Sequence, residues 1–236
     1  MKEYKKIKAG VRLYRYDVVE PPKGGWCKYF NSPLYKYYEG EYRPKNEIGA
    51  FFFFDNMDDA IEVGKNAIVQ RNDIIKEYNP KLDLWITESY NKEELNMFDI
   101  SDCTDVDDLY VRLWDDGLSI FEGDFYKFSF WGSESLSILK DDVRYLSLHK
   151  GENTSYDYNK HKYNIINFFN NCDDENRLPY ACQLLTDFCN GVSFKTMLEA
   201  KGIEGYLFKE ANGNAYCVFD SQKLAIPQTH ILSVTL

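Results

Sequence analysis

The stretch GYLFKEANGNAYCVFD, residues 205–220, decides the fold. Two runs rich in aromatic and other apolar residues, Gly205-Tyr206-Leu207-Phe208-Lys209-Glu210 and Ala215-Tyr216-Cys217-Val218-Phe219-Asp220, flank Ala211-Asn212-Gly213-Asn214. An Asn-Gly connection between such runs specifies a β-hairpin. Just upstream, Ser193 is placed to cap a short helix through Ala200 that Gly202 stops. Before it, Pro179 opens a helix with Ala181, Leu184, Leu185 and Phe188 on one face and Gly191 as its terminator.

Toward the N-terminus the same reading finds more strands. Residues 11–16 alternate apolar and mixed side chains and predict a first strand. The continuous run Ile48-Gly49-Ala50-Phe51-Phe52-Phe53-Phe54 predicts a buried one. Asp55 or Asn56 caps the helix after it, and Asp58 and Asp59 in the first turn favour the helix dipole. Ala60, Val63, Ala67, Ile68, Ile74, Ile75 and Tyr78 recur at helical spacing and predict one helix, ended by Pro80. Residues 84–87 and 96–100 read as strands separated by a polar turn. Thr104 followed by Asp107 starts a short helix through Leu113. Further strands are expected within 117–130 and 143–148. Residues 26–44, dense in Tyr and Lys, read as a long irregular excursion. Strands in runs with helices between some of them argue for a single α+β domain over 1–236.

The composition sets limits on function. Tyr 19, Phe 16 and Trp 4 make 17% of the 236 residues aromatic, enough for a ring-rich core and for stacking surfaces. The net charge of −10 is unevenly spread: +5 over residues 1–50, −13 over 51–125 and −2 over 126–236. An acidic whole argues against bulk binding to nucleic acid or anionic membranes. The basic N-terminal fifth is suited to a single anionic small molecule, and Tyr29, Tyr35, Tyr37, Tyr38 and Tyr42 among Lys28, Lys36, Arg43 and Lys45 are suited to stacking a base. Cys27, Cys103, Cys172, Cys182, Cys189 and Cys217 form no C-x-x-C pair, as expected of reduced cytoplasmic thiols. The start MKEYKKIKAG lacks the apolar stretch of a signal peptide, and no apolar run approaches the roughly 20 residues of a membrane span. A cytoplasmic protein with no membrane partner is expected, although signal-less export gives the same pattern.

The common phosphate-loop, dinucleotide and nucleophile-elbow motifs are absent. His149, His161 and His230 show no metal-ligand spacing with the cysteines, so no metal is expected. Three segments taken in order carry a different signal: Arg12-Leu13-Tyr14-Arg15; the run from Ile48 to Phe54 with Ala60 beginning a helix; and Gly205-Tyr206-Leu207-Phe208 followed by Tyr216-Cys217-Val218-Phe219-Asp220-Ser221-Gln222. In that order they resemble bacterial and phage ADP-ribosyltransferase-like toxins, whose chains carry an "LYR" or "LYH" strand, a "G-x-F-F" strand leading into an Ala-containing helix, a "GY-x-G" strand and a "Y-x-V-F-D" strand.

The resemblance implies a fold of split antiparallel β-sheets with peripheral helices, clasping NAD as substrate without a Rossmann glycine loop. The implied reaction breaks the nicotinamide–ribose bond through an oxocarbenium-like state, which calls for a carboxylate near the ribose. It passes ADP-ribose to an unknown protein or nucleic-acid acceptor, or to water, and an antitoxin or immunity partner belongs to the same picture. Arg15 would hold the dinucleotide with Tyr14 beside it, and Phe53 and Phe54 would border the nicotinamide pocket. Members carry Glu or Gln at or just before the last hairpin strand, whereas this strand begins Asn214-Ala215-Tyr216. Glu210, across the turn, is then the first candidate carboxylate; Asp220 is the second, and Gln222 nearby is a candidate NAD contact. The plain alternatives are a surface arginine at Arg15, core packing at Phe53 and Phe54, and solvated turn residues at Glu210 and Asp220. A second functional reading is a non-catalytic α+β interaction protein that holds a basic partner through the acidic segment 99–124, which contains Asp102, Asp105, Asp107, Asp108, Asp115, Asp116, Glu122 and Asp124.

Overall fold

The computed structural model describes residues 4–18, 20–21, 49–70, 72–115, 149, 155–160, 163, 178–179, 181–183, 185–186 and 188–234. The strands expected at 117–130 and 143–148, the stretch 26–44 and the end of the acidic segment lie outside the described residues. Contacts divide the chain into two compact units, one built from residues 2–101 and 202–236, the other mainly from 102–201.

The first unit contains β1 (Lys5–Ile7), β2 (Arg12–Asp17), β3 (Phe51–Phe54), α1 (Met57–Gln70), α2 (Asn72–Tyr78), β4 (Asp83–Tyr90), β5 (Leu95–Asp99), β6 (Gly205–Glu210), β7 (Gly213–Val218) and β8 (Gln228–Ser233). Its eight strands form one mixed sheet in the order β1-β5-β6-β7-β3-β2-β4-β8. Only β5 and β6 run parallel among these pairings, so the class is α+β. The helix expected as one piece is two, α1 and α2. Its cap is Asn56, whose Oδ1 accepts from the Asp59 N–H at 2.8 Å.

The short links show that this sheet is curled. Residues 91–94 join β4 to β5, yet five strand spacings separate these strands in the sheet. Laid flat, that separation is about 24 Å, more than the roughly 18 Å a four-residue link can span. Residues 8–11, between β1 and β2, make the same jump. Buried Asn91 fastens the two links together: its Oδ1 accepts from Val11 N–H at 2.9 Å, and its Nδ2 donates to the carbonyls of Lys8 and Glu93 at 2.8 Å.

Where the sheet turns on itself, it nearly parts. β2 and β3 share a single register position, Tyr14 opposite Phe54, whereas β2 and β4 share six. This is the split: β1-β5-β6-β7-β3 on one side and β2-β4-β8 on the other. Leu13 of β2 packs with Ile7, Phe51, Phe53, Met97, Leu207, Tyr216 and Val218 from the far side of the break, so this core lies inside the curl. Side-chain alternation turns Phe54, Leu84 and Ile86 the other way. There they pack beneath Ala60 and Ile68 of α1 and Ile75 of α2, with Tyr14 and Tyr16 alongside.

In the second unit, α3 (Val106–Asp115) buries Leu109 and Leu113. Its start is shifted from the expected pairing of Thr104 with Asp107: Asp105 Oδ1 accepts from Asp108 N–H at 2.8 Å, and Asp108 Oδ2 accepts from Thr104 N–H at 3.1 Å. Residues 181–183 are helical and 185–186 form a turn. The last helix, α4 (Phe188–Glu199), runs straight through Gly191, the expected terminator of the preceding helix. A glycine inside a helix costs only about 1 kcal/mol relative to alanine, and buried Phe194 and Leu198 hold this one. Gly202, at a φ of 73°, marks the stop as expected. No helix among the described residues is long and apolar enough to cross a membrane.

Candidate functional site

Arg15 sits on β2 beside the break and, by alternation, shares the inner face with Leu13 and Asp17. Its Nε donates to Asp17 Oδ1 at 3.2 Å and Oδ2 at 3.4 Å. The guanidinium side chain is 23% exposed, while the Asp17 carboxylate is sealed at 7%. Burial pushes the Asp17 carboxyl above the usual carboxylate range, and the nearby Arg15 charge only partly offsets it. This buried acid beside a partly exposed cation has no signal in the sequence, where Asp17 is simply the next charged residue.

The row of inner-face residues through Arg15 can be followed across the sheet. On one side, Arg15 is the register partner of Thr87 in β4, which in turn faces Thr229 in β8. On the other side of the break lie Phe53 and its partner Tyr216. Burial, then the charges of Asp55 and Asp99, push the Tyr216 phenol up from its ordinary value. Thr87 is 2% exposed, and its hydroxyl makes no hydrogen bond among the described residues. An unpaired buried polar group costs about 1–3 kcal/mol.

The hairpin turn builds a second polar cluster. The strands meet across a two-residue turn, Ala211-Asn212, rather than the four-residue connection read from the sequence, with Gly213 already paired to Glu210. Ala211 takes the positive φ of 53° that glycine normally supplies. Gly213 serves a different purpose: a Cβ there would lie 2.4 Å from Asp55 Oδ1 and 2.7 Å from Asp59 Oδ2. The space it leaves admits a network of carboxylates and amides. Asp55 Oδ2 accepts from Asn214 Nδ2 at 2.7 Å, and Asp59 Oδ2 accepts from Asn56 Nδ2 at 2.6 Å. Thus Asn214, which stands where the resemblance expects Glu or Gln, ties the hairpin to the start of α1.

The structure separates the residues that the sequence grouped. Tyr14 and Arg15 point to opposite faces of β2, and Tyr14 packs with Phe54 beneath α1. Phe54 is 5% and Phe53 0% exposed, so both rings are core; only Phe53 shares the Arg15 face. Glu210 ends β6 on the face of Tyr206 and Phe208, opposite to that of Arg15, and is half-buried. Asp220 lies past the other end of the hairpin and is exposed, its Oδ1 accepting from the Gln222 N–H at 2.9 Å. Gln222, also exposed, belongs to that same turn, which Lys223 anchors to Glu204 and to Glu93. The structure therefore brings together Arg15 and Phe53 and leaves Glu210, Asp220 and Gln222 apart from them.

Among the described residues no group of His, Cys, Asp and Glu is arranged to hold a metal. In the described part of the acidic segment, several charges serve local structure: Asp105 and Asp108 form the start of α3, and Asp102 lies 3.7 Å from Arg112. No protein-family model matches the chain, and no curated protein matches it. Among solved structures it is similar to a chain in the crystal structure of the M. tuberculosis MbcT-MbcA toxin-antitoxin complex, at 12% sequence identity and a TM-score of 0.43, covering 97% of this chain and 87% of that one.

Proposed function

We propose that the chain is an NAD-consuming enzyme of the ADP-ribosyltransferase type, toxin or effector in kind, whose dinucleotide lies along the inner face of the curled sheet at the β2/β3 break. The observation that carries this reading is Arg15: a partly exposed guanidinium beside the break, held through Nε by a buried carboxylate. An arginine so oriented makes charge-assisted hydrogen bonds to phosphate oxygens, and Tyr216 supplies a ring and hydroxyl in the same row. As the nicotinamide–ribose bond breaks, positive charge builds on the ribose and a nearby carboxylate stabilises it. Glu210 and Asp220 are the candidate groups for that role; Glu210 stands on the opposite face of the sheet, so its carboxylate has to reach the ribose around the hairpin turn. The acceptor is water or an unidentified macromolecule.

Nicotinamide release from NAD by the purified chain tests this. Glu210→Ala is expected to cut release by about a hundredfold or more, with Asp220→Ala close to wild type and both variants folded by circular dichroism. Loss in Asp220→Ala alone transfers the role to that residue. No release and no NAD binding by the wild type overturns the reading.

A further inference from the structure

We infer that Thr87 is a further dinucleotide-binding residue, its hydroxyl donating to a phosphate oxygen of the ligand held by Arg15; the inference rests on the NAD-binding reading above. Thr87 and Arg15 are direct cross-strand partners on the inner face, so their side chains stand next to each other. Arg15 is partly exposed, and an anion drawn to its guanidinium has to open the packing over Thr87, whose hydroxyl is sealed in the free protein, to reach it.

The contrast with Ser89 is informative. Two residues further along the same strand and face, Ser89 is buried and donates to the Ala225 carbonyl at 2.8 Å. Thr87 is equally buried, yet its Oγ1 has no partner among the described residues. Valine has the same shape and a high strand preference, and it would fill the position with no polar atom to satisfy. A hydroxyl kept there beside a cation has the chemistry of a phosphate donor: it loses hydrogen-bonding capacity in the free protein and regains it in the complex. Thr229, the neighbour on the outer side, is exposed and keeps the row polar to the sheet edge.

Calorimetric titration of the full chain with NAD, and with ADP-ribose as a probe that has the diphosphate but no nicotinamide, tests the assignment. Thr87→Val is expected to weaken both ligands about tenfold or more, the size of one hydrogen bond to a charged group, with an unchanged or raised melting temperature. Thr87→Ser, which keeps the hydroxyl and loses only a methyl, is expected to stay within about threefold of wild type. Wild-type affinity in Thr87→Val overturns the inference while leaving NAD binding intact. So does a larger loss in Thr87→Ser than in Thr87→Val, which is the signature of packing alone. A wild-type chain that binds neither ligand overturns this inference together with the functional reading.

Discussion

Asp17 and Asp59 are both nearly sealed from solvent, at 7% and 3% exposure, yet they are stabilised in opposite ways. The Asp59 carboxylate accepts from neutral donors, Asn56 Nδ2 at 2.6 Å and Asn212 Nδ2 at 3.4 Å, while the Asp59 N–H donates back to Asn56 Oδ1 at 2.8 Å. Its network closes on itself and fixes the hairpin turn against α1. Asp17 instead faces a guanidinium that is itself partly open to solvent, in a row where Thr87 has no partner among the described residues. A satisfied carboxylate among amides has the character of architecture. A carboxylate that orients a partly exposed cation beside an unfilled donor has the character of a binding site.

The contrast is broken most strongly by Asn56→Ala. The change removes the α1 cap and the shortest donor to a buried carboxylate together, for a loss of about 3 kcal/mol in urea unfolding. NAD affinity measured on the folded fraction should change little. A variant as stable as wild type would show that the Asp59 network is not structural.

A smaller effect, with a defined sign, is expected at the other carboxylate. The folded carboxyl of Asp17 lies above its ordinary value of 3.8. The stability tied to its protonated form is therefore complete below about pH 4 and is lost as pH rises through the folded value. Asp17→Asn cannot ionise, so its melting temperature relative to wild type should climb as pH rises above about 4. A difference that stays flat or falls would mean that Arg15 outweighs burial. The smallest expected change is at the turn. Ala211→Gly relieves a positive φ of 53° and should add up to about 1 kcal/mol. An unchanged or lower midpoint in the same unfolding assay would show that the turn is unstrained.

Several elements were legible in the sequence because their signals are local. The alternation over 11–16, the apolar run ending at Phe54 and the two hairpin runs each became a strand where expected. Other readings failed where packing overruled a local cue. Gly213 suggested the turn centre but is needed for the close approach of Asp55 and Asp59, which moved the positive φ to Ala211. Gly191 suggested a helix end, and α4 passes through it. Of the candidate site, Arg15 was legible from its strand. The separation of Tyr14 from Arg15 was available in principle, since adjacent strand residues face opposite ways.

What the sequence alone determined, then, is the segments with a clear period, β2 to β7 among them, and which side chains share a face within each, because the two-residue and 3.6-residue periods are properties of the local backbone; β1 and β8 lay outside that reading. Which strands become neighbours was decided only by the tertiary structure. Asn91 stitching two links across five strand spacings, the single Tyr14–Phe54 position at the break and the placing of Thr87 beside Arg15 all depend on pairing between residues far apart in the chain. That register is set by which apolar faces can close over one another in the core, and a shift of one residue would turn every inner side chain outward.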